Sequence, residues 1–228
     1  MKPDLLILHG ALGGPSQFQE LSSLLSSQFS VHVVPFDGHE GLPIEAPYSI
    51  DLFARNLKDY CTYKRIDHPF VFGYSMGGYV ALLAAHQGFR LARLLTLGTK
   101  FAWNPDGAAK EIRQLQPEII EVKVPQFAAY QSRLHHPLNW KDVMNGTAAM
   151  MNDLGKQPAL SAEILSRLTF PTLCCLGDED AMVSREETRW AADCLANGQI
   201  RILHDMPHPI EKVNLPQLVE EIQNWFLR

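Results

Sequence analysis

One serine has a glycine two residues to either side, in Gly73-Tyr74-Ser75-Met76-Gly77-Gly78. A serine hydroxyl is a weak nucleophile. It needs a base within hydrogen-bond reach, and the base needs an acceptor to orient it. Both residue types follow later in the chain. Gly177-Asp178-Glu179-Asp180 brings carboxylates to the end of one apolar run, and His204-Asp205-Met206-Pro207-His208 brings histidines to the end of another. That constellation suits attack on an acyl carbon, with Ser75 as nucleophile, His208 as base and Asp180 orienting it. His204 completes a strand and reads as a packed or surface residue. Asp178 reads as a turn residue that satisfies local backbone. Asp180, third beyond Gly177, reaches farther over the sheet edge; Glu179 and Asp205 are the remaining acids.

These residues need elements to position them. Pro69-Phe70-Val71-Phe72 reads as a buried strand and Tyr79 to His86 as a helix, so Ser75 falls on a strand-to-helix turn. A turn that sharp implies φ > 0 at Ser75 and leaves room only for small residues at Gly73 and Gly77. The helix N-terminus then favours negative charge beside the hydroxyl. Further strands are expected at Leu5 to Leu8, Val31 to Phe36, Ala92 to Gly98, Pro171 to Gly177 and Gln199 to Leu203. Helices are expected near Ser16 to Ser27 (with a Ser16/Gln19 capping box), Ser49 to Tyr63, Ser184 to Leu195 and Pro209 to Leu227. Alternating strands and helices make this an α/β fold, a parallel sheet covered on both faces. In such sheets sites form at the carboxyl ends of strands. The oxyanion of an acyl-transfer intermediate needs donors there. The backbone N–H of Met76 is one by geometry, and that of Ala11, in the loop after the first strand, is placed to be the second. His9 reads as a brace for that loop.

The strand rhythm stops between about Thr99 and Leu168. Helices are expected at Ala108 to Leu115, Pro117 to Val124, Phe127 to Leu134 and Trp140 to Met151. Some 70 residues could barely bury a core alone, so 99–168 reads as an insertion within a single domain, 1–228. Its Phe101, Trp103, Tyr130, Trp140 and methionines, Met144 among them, are candidates to line an acyl pocket. Arg133 with His135-His136 reads as a solvated loop more readily than as an anion site. Glu211 reads as a helix N-terminal charge.

The chain resembles the α/β-hydrolase superfamily. His9-Gly10 is similar to its oxyanion loop, Gly73 to Gly78 to its nucleophile elbow, and Gly177 to Asp180 to its acid loop. His208 matches its late histidine, although Pro207 stands where glycine is common. The resemblance implies a Ser75, Asp180, His208 triad in the family's order and a helical cap at 99–168. It also marks a departure: only four residues precede the first strand. A sheet of about six parallel strands without the usual antiparallel edge is therefore expected. The activity implied is that of a serine hydrolase cleaving small carboxylic esters or related acyl compounds, a carboxylesterase in kind; C–C bond hydrolases, thioesterases and a menaquinone-pathway lyase share such a triad, and a slow-turnover ligand receptor is the reading from another class.

Composition narrows the partners. Of 228 residues, 46% are hydrophobic and 20% charged, with a net charge of −5 and a pI near 6.0. No basic cluster suggests nucleic acid, and no apolar run approaches the ~18 residues of a membrane span. The amino-terminal run of four apolar residues is too short for a signal-peptide core. Cys61, Cys174, Cys175 and Cys194 show no Cys-x-x-Cys, and free thiols in a cytoplasmic setting are expected. No cofactor and no metal site is expected, and adjacent His135-His136 point apart. The partner is a small-molecule acyl substrate.

Overall fold

The computed structural model describes residues 2–227; the end residues of the expected 1–228 domain lie outside them. The first strand, β1 (Asp4–Leu8), leads through a 3-10 turn (Pro15–Phe18) into α1 (Gln19–Leu25). Then come β2 (Ser30–Val34), α2 (Ile50–Lys64), β3 (Phe70–Tyr74), α3 (Met76–His86) and β4 (Arg93–Leu97). Five helices follow without a strand: α4 (Pro105–Ile112), α5 (Pro117–Lys123), α6 (Pro125–His135), α7 (Trp140–Lys156) and α8 (Ala162–Ser166). The alternation resumes with β5 (Thr172–Glu179), α9 (Arg185–Cys194), β6 (Gly198–Pro207), a 3-10 turn (Ile210–Lys212) and α10 (Leu215–Leu227).

The six strands form one sheet in the order β2-β1-β3-β4-β5-β6. Every pairing is parallel, with Leu6 opposite Val71 and Phe72 opposite Leu95. Strand side chains alternate between faces, and the core divides accordingly. Leu6, Leu8, Val34, Val71, Leu94 and Cys174 join one buried cluster with residues of α2, α3 and α9. Leu5, Ile7, Phe72, Leu95, Leu173 and Cys175 join the other with α1 and α10. Burial on both faces explains why these strands read as unbroken apolar runs.

Helix starts follow the local chemistry. The Ser49 hydroxyl accepts from Leu52 N at the head of α2. Ser184 and Glu187 form the expected reciprocal cap on α9. Prolines open α4, α5 and α6, where a missing N–H costs nothing. Two expectations need correction. Ser16 and Gln19 do not form a capping box: the chain tightens into a 3-10 turn, Gln17 accepts from Gly14 N, and Ser16 N and Oγ both bond Glu40. The last helix does not begin at Pro209. A 3-10 turn ends at Lys212, and Asn214 caps the separate α10 by accepting from Gln217 N.

The helices between β4 and β5 join the body of the protein. Met150, Leu154, Leu160, Leu165 and Leu168 belong to the same buried cluster as the sheet. Where the segment returns to the sheet, Leu160 N donates 3.0 Å to the Tyr79 hydroxyl of α3. Removing that acceptor leaves a buried N–H unpaired, which costs about 1–3 kcal/mol. Tyr79→Phe is therefore expected to lower the urea-unfolding free energy by that amount. An unchanged midpoint would mean that this hydrogen bond does not hold the segment.

Candidate active site

Ser75 sits between β3 and α3 with φ 50° and ψ −117°. A non-glycine residue there is strained, and such strain persists only where the surroundings impose it. Three hydrogen bonds do so. Ser75 N donates 2.8 Å to Leu97 O at the end of β4, while its own carbonyl accepts from Gly78 N at 3.2 Å and from Thr99 Oγ1 at 2.9 Å. A Cβ on Gly73 would stand 2.5 Å from Gly78 Cα, so this close approach admits only glycine.

Asp180 and His208 come from the ends of β5 and β6. His208 Nδ1 lies 2.7 Å from Asp180 Oδ2, and the side chains are 10% and 2% exposed. The other carboxylate oxygen, Oδ1, accepts from Met182 N at 2.8 Å and Val183 N at 2.9 Å. All the donors around this carboxylate are thus fixed by backbone or ring. A carboxylate so placed accepts from His208 Nδ1–H, which leaves Nε2 as the acceptor nitrogen of the ring. The Tyr74 hydroxyl donates 2.9 Å to His208 O. Gly98, at φ 61°, lies directly behind the pair; a Cβ there would meet Asp180 Oδ2 at 3.0 Å and His208 Nδ1 at 3.1 Å.

Ser75, Met76, Ala11 and His208 line one cavity of about 50 Å³. Trp103 is also in its wall, with Met150, Met151, Leu154 and Met182. Among the described residues, Tyr130, Trp140 and Met144 are not. Trp140 and Met144 instead pack with Ile120 and Ala128 into a small core among α5, α6 and α7. Helical periodicity cannot tell an inward face aimed at a neighbouring helix from one aimed at a pocket. Tyr130 lies toward Gln17 and Glu211, and Gln17 and Glu211 bond each other at 2.5 Å, so Glu211 pairs across the molecule as well as standing near a helix start. His204 and Asp178 pair at 2.8 Å, with His204 87% exposed. Glu179 and Asp205 are exposed. Among the described residues no cluster of three or more His, Cys, Asp or Glu is arranged for a metal.

Sequence reading missed the support behind the Ala11 loop. His135 is fully buried, not part of a solvated loop. Its Nδ1 accepts from Glu40 N at 3.1 Å, so Nε2 carries the proton and faces Leu12 O at 3.3 Å and Gln131 Oε1 at 3.0 Å. Gln131 Nε2 also donates to Leu12 O, at 3.2 Å. Leu12 itself has φ 60°. Two side chains of α6 thus hold the carbonyl next to Ala11. Gln131 and His135 are four residues apart, one helical face, which was the available signal.

The His9 and His39 rings pack 5.0 Å apart, and the His39 and His135 rings 5.8 Å apart. His9 Nδ1 donates to Gly10 O at 2.9 Å and His39 Nδ1 to Asp37 O at 3.0 Å. Their Nε2 atoms are buried with no partner. Burial pushes the pKa of His9 from 6.5 to about 4, and burial with the neighbouring His9 puts His39 well below 6.5. Burial also lowers that of His135.

A family model described as the alpha/beta hydrolase family matches residues 5–215. The chain belongs to the α/β-hydrolase family. A pimeloyl-[acyl-carrier protein] methyl ester esterase of Aromatoleum aromaticum is 33% identical over 111 residues, 47% of this chain and 42% of that protein. The matched stretch thus spans less than half of that relative. The protein of the same description from Vibrio vulnificus is 26% identical over 207 residues, 79% of this chain and 77% of its own length. Among solved structures, a thermophilic esterase from Thermogutta terrifontis superposes with a TM-score of 0.78 at 22% identity, covering 100% of this chain and 90% of that one. A putative lipase from Acinetobacter baumannii gives 0.83 at 19%, covering 99% and 84%. The two structures show a shared fold.

Two outcomes test this architecture. The unfolded state has histidines near 6.5 that the folded state holds lower, so between those values the unfolded chain binds more protons and stability rises with pH. The contribution is complete above 6.5 and is lost as pH drops toward 4; for His9 alone it is about 3 kcal/mol. The urea midpoint should therefore decline steadily from pH 7 to pH 5, and a flat profile would contradict the buried neutral rings. Gly73→Ala should lower stability by about 1–3 kcal/mol through overpacking of the turn, read by thermal unfolding.

Proposed function

We propose that this hydrolase cleaves small carboxylic esters or related acyl compounds through an acyl-enzyme on Ser75. The observation that carries the reading is the buried 2.7 Å contact between His208 Nδ1 and Asp180 Oδ2 beside a cavity that also contains the strained Ser75. The esterase descriptions of the curated relatives support it.

In this reading Ser75 Oγ attacks the ester carbonyl and its proton passes to His208 Nε2. Asp180 holds the ring in place and stabilises the imidazolium by charge. The carbonyl oxygen becomes an oxyanion that takes hydrogen bonds from the backbone N–H groups of Ala11 and Met76. As the intermediate collapses, the carbon–oxygen bond to the alcohol breaks and His208 returns the proton to the leaving alkoxide. Water then attacks the acyl carbon, giving its proton to His208, and the acid leaves as Ser75 recovers its hydrogen. Ser75 and His208 share a cavity wall without a hydrogen bond between them, a common state before substrate binds. Asp180 is almost fully shielded, so its charge acts through a low-dielectric path.

A cavity of about 50 Å³ is far below the ~300–1,000 Å³ of typical ligand sites. Helices α4 to α8 act in this reading as a cap, and an ester of any length enters only when its side chains give way. Met150, Met151 and Met182 in the wall suit that role, because unbranched thioethers repack at low cost.

Ser75→Ala should abolish hydrolysis of short p-nitrophenyl esters without changing the fold by circular dichroism, and a fluorophosphonate probe should label the wild type only. Asp180→Asn should lower kcat by about 10³–10⁴-fold. Undiminished turnover in Ser75→Ala would overturn the reading.

A further inference from the structure

The cavity holds one feature that ester cleavage does not use. Lys100 and Glu111 are in its lining, opposite in sign and surrounded by Trp103, Met150, Met151 and Leu154. Glu111, on α4, is 4% exposed, and its nearest cation is Lys100 Nζ at 3.6 Å. No hydrogen bond reaches its carboxylate among the described residues. A second carboxylate, Glu187 of α9, lies 3.8 Å from the same ammonium. Glu187 is fully engaged: Oε1 accepts from Phe101 N at 2.9 Å and Ala102 N at 3.3 Å, and Oε2 from Ser184 N at 3.3 Å.

The two acids therefore differ. Glu187 is a backbone-saturated anchor, while Glu111, only 4% exposed, has one cation at 3.6 Å and no donor. A buried carboxylate is costly unless it is paired and hydrogen-bonded, and the open position beside Glu111 faces the cavity. One ammonium between two carboxylates leaves this end of the cavity with a net charge of −1.

We propose that Glu111, held by Lys100, is the specificity-determining residue of the cavity and selects esters whose chain carries a hydrogen-bond donor, an ammonium or a hydroxyl group. This rests on the esterase reading above. A donor completes the coordination of Glu111. An alkyl chain leaves it incomplete, and a carboxylate meets like charge. Lys100 keeps the carboxylate aimed into the cavity, and Glu187 keeps Lys100 from turning to the substrate.

The test is a matched series of methyl esters: 3-aminopropanoate, 3-hydroxypropanoate, butanoate and the malonate half-ester, with their longer homologues. The wild type should show kcat/KM for the amino and hydroxy members about tenfold or more above the alkyl member, as expected for a hydrogen bond to a charged group, with the half-ester lowest. In Glu111→Gln the ratio of amino to alkyl ester should fall by about tenfold. No preference in the wild type, a preference for the half-ester, or an equal loss for every member in Glu111→Gln would overturn the proposal; the last would mark the pair as a structural tie between α4 and the segment after β4. Binding of the same esters to Ser75→Ala, measured by calorimetry, separates the two readings. The expected order of binding with no turnover by the wild type would sink the esterase reading alone. Turnover without that order would sink this proposal alone. Should Glu111→Gln fail to fold, the wild-type and Ser75→Ala series still decide.

Discussion

The left-handed backbone at Ser75 is the constraint around which this molecule is built. Such a conformation costs on the order of 1–3 kcal/mol and is held only because β4 lies alongside. Leu97 O takes the Ser75 N–H, and Thr99 holds the Ser75 carbonyl. Both partners exist because β3 and β4 pair in parallel, Tyr74 opposite Leu97. The same arrangement puts the carboxyl ends of β1, β3, β4, β5 and β6 on one edge of the sheet. Ala11, Ser75, Gly98, Asp180 and His208 are all within a few residues of those ends. The parallel sheet brings residues 134 positions apart, Tyr74 and His208, into direct contact.

The second constraint is the helical segment between β4 and β5. Its helices contribute to the main core through Met150, Leu154 and Leu165 and hold a smaller core of their own around Trp140 and Met144. Leu12 packs against that smaller core while its carbonyl is bonded by Gln131 and His135. The loop carrying Ala11 is thus braced from both sides, by the sheet through Gly10 and His9 and by α6. Polar groups at this junction are buried in neutral form. The histidines do not charge there because burial outweighs the hydrogen bonds they make, and the rings fill space as aromatics. The charged groups of the cavity behave differently. Lys100 and Glu111 in its wall, with Glu187 behind Lys100, are close enough to offset one another's desolvation in part.

The family model and the solved structures agree on fold class, and the modest identities leave the pocket to this chain's own residues. Cavity walls of methionine and tryptophan carry shape, and a single acid–base pair carries charge. That division is common in ligand sites, where a few polar groups orient a mostly apolar ligand.

The parallel sheet, its strand number and the positions of Ser75, Asp180 and His208 at strand ends were legible in the amino-acid sequence, because unbroken apolar runs, glycine spacing and the order of chemical types are local signals. The Ser184/Glu187 cap was legible for the same reason. Other features were not. Gln17 replaced the expected cap at Ser16 because the turn tightened to 3-10 geometry, and Asn214 restarted the last helix beyond Pro209. Trp140, Met144 and Tyr130 looked like pocket residues because their spacing records an inward face and not what that face meets. His135 looked solvated because nothing local shows that α6 would lie against the Ala11 loop. Lys100 and Glu111, eleven residues apart on different elements, had no local signal at all. The sequence by itself determined which chemistry the strand ends present. Only the tertiary structure decided which side chains close over it, since that depends on how α4 to α8 pack, and packing is set by long-range contacts that no local pattern records.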